Sequence, residues 1–288
     1  MKLKTIFRDQ FKNFTSLQHL NNLADVPSKI YAVGNIDLLN FPTLTIIGSR
    51  KMSSYGKQVI KGVVPTIASV GVCVVSGVAY GCDFEAQKIA TQSGGTTIGI
   101  MGCGLNHIKT HQHYKFIKDC IDSNRGLFLS EFEPNTRAAK YTFVKRDRIM
   151  AAIGNKLLVI EAGLKSGTMH TVNFALELGK EVYAVPGNIY NSNSLGTNLL
   201  IQNGANVFLQ PDDILDQYNL DKNISKVNSL TKEQLKLLKL LNNEKTTLEL
   251  ARQTKQNVST ILSQLTLLEM QNMVSNVGDK WVRVKQQS

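Results

Sequence analysis

No apolar run in this chain approaches the ~18 residues that a membrane-crossing helix needs. The N-terminus, MKLKTIFRDQ, lacks the apolar centre of a secretion signal. Together these absences predict a cytoplasmic protein with no membrane partner. Cysteine is scarce: Cys73, Cys82, Cys103 and Cys120 stand far apart, and none pair at metal-ligand spacing. Most fall on or beside apolar runs, so buried thiols are expected rather than a disulfide or zinc. Nucleotide-hydrolase signatures are also missing. The Gly48 loop does not continue as a Walker A loop, and no GxGxxG follows the apolar run before it.

What the chain does have is length, apolar content and positive charge. With 288 residues, 42% of them hydrophobic, it can build one large domain and a small one. A net charge of +11 favours a polyanionic partner such as nucleic acid.

The chain is organised around Thr45–Gly56, TIIGSRKMSSYG. Thr45–Ile47 reads as a buried strand, and Ser53 or Ser54 as the cap of the helix that follows. A strand that delivers backbone to a helix start makes an anion site, because free N–H groups and the helix dipole both favour negative charge. Gly48 allows close approach, Ser49 offers a hydroxyl and Arg50 a guanidinium fork suited to phosphate. Taken alone, the stretch equally fits an ordinary turn with a solvated arginine.

From Leu44 to Phe208 the pattern of strand, loop and helix repeats. Apolar runs at Thr45–Ile47, Val72–Val75, Thr97–Met101, Leu127–Leu129, Leu157–Ile160 and Val182–Val185 alternate with helix-length stretches, clearest at Lys57–Val70, Phe84–Gln92 and Met169–Leu178. This predicts an α/β fold with a doubly wound, mostly parallel sheet, whose ligands bind beyond the carboxyl ends of the strands. Those ends carry Gly48-Ser49-Arg50, Ser76-Gly77, Gly102-Cys103-Gly104, Ser130-Glu131, Lys165-Ser166-Gly167-Thr168 and Pro186-Gly187-Asn188. Glycine at one such end is ordinary; glycine, hydroxyls and bases recurring on one edge describe a phosphate-lined rim.

Tyr141–Ala152, YTFVKRDRIMAA, adds Lys145, Arg146 and Arg148 at what reads as a helix start, with Tyr141 and Phe143 just ahead. Bases there oppose the helix dipole unless an anion lies nearby, and bases beside aromatics suit single-stranded nucleic acid. Asp83 reads as a helix cap. His107, His111 and His113, with Lys109 among them, fit cation–phosphate contact better than metal ligation. No catalytic residue, metal or cofactor is expected.

Residues 1–28 read as a weakly patterned N-terminal extension with a short helix near Phe11–Leu23, followed by a strand at Ile30–Val33. The large domain is expected over 29–212, a polar linker over 213–228 and a small domain over 229–288. In the small domain, helices at Thr231–Asn242, Thr247–Thr254 and Val258–Gln271 precede a hairpin of Met273–Val277 and Lys280–Val284, the order of a winged helix. The last of these helices carries almost no positive charge, which favours protein docking or packing over base reading.

In this order the motifs IIGSRKMSSYG (46–56), VVSGVAYGCDFEA (74–86), SEFEP (130–134), FVKRDRIMAAIGN (143–155), SGTMHTVNFALELGKEVYAVPGN (166–188) and SLGTNLLIQNGA (194–205) resemble the DNA-processing protein A family, also called Smf. The resemblance covers about Pro27 to Ala205, with a weaker tail beyond. It implies a Rossmann-like domain that holds single-stranded DNA, self-associates as a dimer and loads the RecA recombinase during natural transformation. The pocket residues it implies are Gly48, Ser49, Arg50, Ser76, Gly77, Lys145, Arg146, Arg148, Lys165, Ser166, Gly167 and Thr168. The helix Met169–Leu178 is a candidate for the dimer surface.

Departures from the family pattern are Asp147 inside Arg-x-Arg, Gln87 in place of a common histidine, His111-Gln112-His113 in place of Tyr-Pro, and Cys82 in place of an aliphatic residue. Asp147 either weakens phosphate binding or orients its neighbouring arginines. A related group, the nucleoside-monophosphate phosphoribohydrolases, uses a Pro-Gly-Gly-x-Gly-Thr loop followed by a catalytic Glu. The Gly163–Thr168 loop here lacks the double glycine, and Met169, His170 and Thr171 follow it without that acid. A duplex DNA regulator acting through the small domain is the third reading.

Overall fold

The apolar runs become strands, and the amphipathic stretches between them become helices that cover both faces of the sheet they form. The computed structural model describes residues 2–216, 218, 237, 240–241, 244–254, 256–270 and 274–283. In chain order the larger unit contains β1 (Lys4–Phe7), α1 (Thr15–Gln18), β2 (Lys29–Gly34), β3 (Thr43–Ile47), α2 (Ser54–Ser69), β4 (Cys73–Ser76), α3 (Cys82–Gln92), β5 (Thr97–Ile100), α4 (Tyr114–Asp122) and β6 (Gly126–Ser130). It continues with α5 (Lys140–Ile153), β7 (Lys156–Val159), α6 (Thr168–Glu177), β8 (Val182–Ala184), α7 (Leu195–Gln202), β9 (Asn206–Val207) and α8 (Asp212–Leu215).

Among the described residues the sheet has nine strands in the order β1-β2-β6-β5-β4-β3-β7-β8-β9. The stretch from β6 through β9 is parallel, and β2 and β1 are added antiparallel at one edge. Starting from β3 the chain winds outward through β4, β5 and β6, then returns to lay β7 on the other side of β3. The doubly wound expectation therefore holds, and the winding reverses between β3 and β7. At such a switch point the loops diverge and leave a crevice beyond the strand ends.

Side chains alternate across the sheet as the two-residue period of a strand requires. Ile47 joins a core on one face with Ile149, Ile153, Val172 and Leu200 from α5, α6 and α7. Leu44 and Ile46 join the opposite core with Ile60, Val64, Ala86 and Ala90 from α2 and α3. Each fully buried side chain of this size contributes about 1.5–3 kcal/mol by leaving water.

The N-terminal stretch packs into the sheet rather than extending from it. Residues 4–7 pair with β2, and Phe11, Leu17 and Leu20 are fully buried in the same core as Ile47. At the other end, Ile214 is buried and the Tyr218 hydroxyl donates to the Thr43 carbonyl at 2.7 Å. The larger unit accordingly runs from Met1 to Leu220, past the expected start of a linker at 213.

The smaller unit, Asp221–Ser288, shows β10 (Lys245–Thr246), α9 (Thr247–Thr254), α10 (Val258–Met270), β11 (Val274–Val277) and β12 (Lys280–Arg283). Its strands form an antiparallel sheet in the order β10-β12-β11, over a core of Leu250, Ile261, Leu265, Leu268 and Trp281. The expected helix over Thr231–Asn242 and most of the expected linker lie outside the described residues. Among the described residues, no helix is long and apolar enough to cross a membrane.

Candidate functional site

At the switch point β3 ends in Gly48-Ser49-Arg50, held between two neighbouring loops. The Ser49 N–H donates to the Glu161 carbonyl beyond β7 at 2.8 Å, and the Cys82 N–H at the start of α3 donates to the Ser49 carbonyl at 3.2 Å. A Cβ on Gly48 would meet the Cys82 Sγ at 2.7 Å, so the residue must be small for the loop to lie this close to α3. Cys82 thus helps to shape the site.

Ser53 caps α2, as the sequence predicts, by accepting from the Gly56 N–H at 3.2 Å. The buried Glu161 carboxylate accepts from the Ser53 N–H at 2.9 Å and also from its hydroxyl. These bonds fix the loop that presents Arg50. Arg50 itself is exposed, with its guanidinium 5.4 Å from the Phe143 ring centre, a cation–π distance.

The helix carrying the basic motif begins at Lys140, so Lys145, Arg146 and Arg148 lie in its middle. That corrects the expectation of bases at a helix start, and the dipole argument does not apply to them. Helical periodicity then divides the motif between faces. Lys140, Phe143, Arg146, Asp147 and Met150 face the crevice. Lys145 and Arg148 face the N-terminal segment, where Lys145 lies 3.9 Å and Arg148 3.5 Å from the Asp25 carboxylate. Arg148 also pairs with Glu131.

Arg146 is buried beneath the crevice. Its guanidinium donates to the carbonyls of Gly77 at 2.7 Å and Ile100 at 2.9 Å, and its Nε donates to Asp147 at 3.0 Å. A Cβ on Gly77 would sit 2.0 Å from Arg146 Nη1, which explains the glycine. Of the two roles expected for Asp147, the structure shows the orienting one, toward Arg146.

Asp83 is not the helix cap that the sequence predicts. Gly81 holds that position, and Asp83 instead accepts from the Gly77 N–H at 3.1 Å. Burial pushes the Asp83 carboxyl up to about 6, against the pull of Arg146 beside it. Burial likewise raises Asp147, and Arg146 opposes it.

Beyond β7, the Gly163–Thr168 loop brings Ser166, Gly167 and Thr168 to the opposite wall, at the start of α6. The Ser166 Oγ lies 2.9 Å from the Thr168 hydroxyl and accepts from the Thr168 N–H at 3.2 Å. The resulting cavity, about 480 Å³, is lined by Gly48, Ser49, Arg50, Arg146, Ser166, Gly167 and Thr168 of the expected set. Ser76 and Gly77 stand behind its wall; Ser76 is buried and donates to the Ile46 carbonyl at 2.6 Å. Lys145, Arg148 and Lys165 are not among the lining residues.

Lys51, Lys140, His170 and Asn193 are among the lining residues outside the expected set. The correct start of α5 would have revealed Lys140, one turn before Phe143. Asn193 comes from a distant loop, where its amide donates to the Lys51 carbonyl at 3.0 Å, and no local pattern marks it.

None of His107, Lys109, His111 and His113, expected to contact phosphate, lines this cavity. Burial, with His113 adding repulsion, lowers His111 to about 4, and burial also lowers His113. Gln87, where the resemblance suggests histidine, is buried and donates to the Thr97 hydroxyl at 2.9 Å, tying α3 to β5.

Comparisons with known proteins show the family to which this fold belongs. The family model for DNA recombination-mediator protein A matches residues 6–219. DNA processing protein DprA of Streptococcus pneumoniae is 36% identical over 199 residues, covering 69% of this chain and 70% of the relative. Protein Smf of Escherichia coli is 36% identical over 192 residues, covering 67% of this chain and 51% of the relative, so this chain spans about half of that protein's length.

Among solved structures, S. pneumoniae DprA aligns with a TM-score of 0.67 at 32% identity, covering 76% of this chain and 75% of that one. The DNA processing protein A of Helicobacter pylori, described for its single-stranded DNA binding mode, aligns at 0.65 with 29% identity, covering 75% and 95%. This chain belongs to the DNA recombination-mediator protein A family.

Proposed function

We propose that this chain binds single-stranded DNA by its phosphate backbone in the switch-point cavity, without catalysing a reaction, and passes the strand to a RecA-type recombinase. One observation carries the reading. Loops from β3 and β7 and the inner face of α5 bring Arg50, Arg146 and the Ser166–Thr168 hydroxyls around one cavity, with the Phe143 ring beneath Arg50. Guanidinium and hydroxyl donors suit phosphate, and an aromatic ring beside them suits a base. The H. pylori relative supports the same ligand.

The test compares a fluorescent single strand of about thirty nucleotides with the matching duplex, for wild type and Arg50→Ala. Loss of charged phosphate hydrogen bonds should cost about 1.5–3 kcal/mol, or roughly ten- to a hundredfold in affinity. A preference for duplex, or indifference to Arg50→Ala, would overturn the reading. Release of free adenine from AMP would favour the phosphoribohydrolase alternative instead.

Further parts of the proposal concern partners. Leu176 on α6, Leu199 on α7 and Val207 on the edge strand β9 are exposed apolar side chains, and they support self-association through this end of the large unit. The smaller unit's helices and hairpin support a winged-helix reading. Exposed Val258, Leu262 and Leu267 on α10 favour a protein partner for it over base reading.

A further inference from the structure

A second cavity, of about 760 Å³, opens between α3 and α4, outside the site just described. Its lining includes aromatic rings. The His113 ring lies flat on Phe84, with centroids 3.7 Å apart and planes 7° from parallel, and Phe116 meets Phe84 edge-on at 5.3 Å. Exposed Tyr80 meets His113 edge-on at 5.2 Å. The lowered pKa values of His111 and His113 keep these rings neutral near pH 7, so they act as stacking surfaces rather than as charges.

The rim is basic. Lys88 on α3, Lys115 on α4 and Arg125 just beyond α4 stand against the single carboxylate of Asp119. Among the described residues neither lysine pairs with a carboxylate, and Arg125 donates to the Thr91 carbonyl at 3.4 Å. Neighbouring residues of the chain line the two cavities. Ala79 and Asp83 line the first, Phe84 lines the second, and Tyr80 stands in the chain between them.

We propose that the groove between α3 and α4 is a second subsite for the same single strand. Bases lie against the Phe84–His113 stack, and phosphates lie along Lys88, Lys115 and Arg125. Stacking surfaces beside unpaired cations suit any base sequence, because every base has a π-face and every nucleotide a phosphate. An apolar lining with basic side chains would also receive an acidic peptide, but the Phe84–His113 ring stack and the nearness in the chain of Asp83, which lines the first cavity, favour a strand. The inference rests on the single-strand reading of the first cavity.

The test uses the full chain with two oligothymidylates, one of about four nucleotides to fill the first cavity and one of about fifteen to reach the groove. The double variant Lys88→Ala/Lys115→Ala should bind the short strand like wild type. It should bind the long strand about tenfold more weakly at about 0.15 M salt, with a salt slope shallower by about 1.4. His113→Ala should also weaken only the long strand.

Unchanged short-strand binding doubles as the folding control. If Arg50→Ala weakens both lengths while the double variant binds the long strand like wild type, the groove inference fails alone and an acidic peptide becomes its better occupant. Equal loss at both lengths in the double variant would overturn it as well, because the lysines would then act only as a diffuse field. If Arg50→Ala weakens neither length, the first-cavity reading itself has failed.

Discussion

At the scale of single residues, Arg146 organises the site without standing at its surface. Two of its three hydrogen bonds tie the ends of β4 and β5 to α5, the third goes to Asp147 beside it, and its charge acts on the carboxylates of both Asp83 and Asp147. Arg146→Met would leave two carbonyls and two buried acids without their partner. Breaking a buried pair costs about 3–5 kcal/mol, so thermal unfolding should shift down by about 6–20 °C. Arg50→Ala should leave the unfolding temperature nearly unchanged, because that side chain is exposed.

Asp83 gives the site a pH dependence. Its pKa is raised to about 6, so it is ionised at pH 7.5 and neutral below about pH 6, where the pocket loses a negative charge. Burial raises Asp147 in the same direction. Anion affinity should therefore rise as pH falls from 7.5 to 5.5. Part of that rise should vanish in Asp83→Asn, read as the difference between variant and wild-type binding curves. A variant that keeps the whole rise would remove Asp83 from this role.

At the scale of elements, α5 and the N-terminal segment are the informative cases. The basic motif in α5 looks like one cluster in the sequence, yet a helix turns by about 100° per residue and sends its members to different faces. Which face meets the crevice follows from where the helix starts, and the Tyr141–Ala152 stretch carries no cap strong enough to mark Lys140. The N-terminal segment was obscure for another reason. Its buried residues Phe11, Leu17 and Leu20 follow neither a strand nor a long-helix period, so only their packing reveals them as core. Phe11→Ala should cost about 3–5 kcal/mol if this segment is core; a loss below about 1 kcal/mol by denaturant titration would make it a dispensable tail. Ser53→Ala should cost about 1 kcal/mol through its cap. It should also weaken single-strand binding less than Arg50→Ala does, since it loosens the loop without removing the charge.

At the scale of the whole molecule, the excess of positive charge and the cations around the switch-point cavity should make binding steeply salt-dependent. With four phosphates contacted, affinity should fall about fiftyfold between about 0.05 and 0.2 M salt. A flat salt titration would speak against backbone recognition. The sequence by itself determined the alternation of strands and helices, the glycine- and hydroxyl-bearing strand ends, and the motifs that mark the family. These are local properties, set by hydrophobic period, turn chemistry and short-range spacing. Only the tertiary structure decided that β7 returns beside β3, which brings Ser166 across from Arg50, although the two are more than a hundred residues apart in the chain. It also decided that Arg148 turns toward Glu131 while Arg146 supports the pocket. Strand order and helix rotation depend on how distant apolar faces pack together, and that is not encoded in any local stretch of the chain.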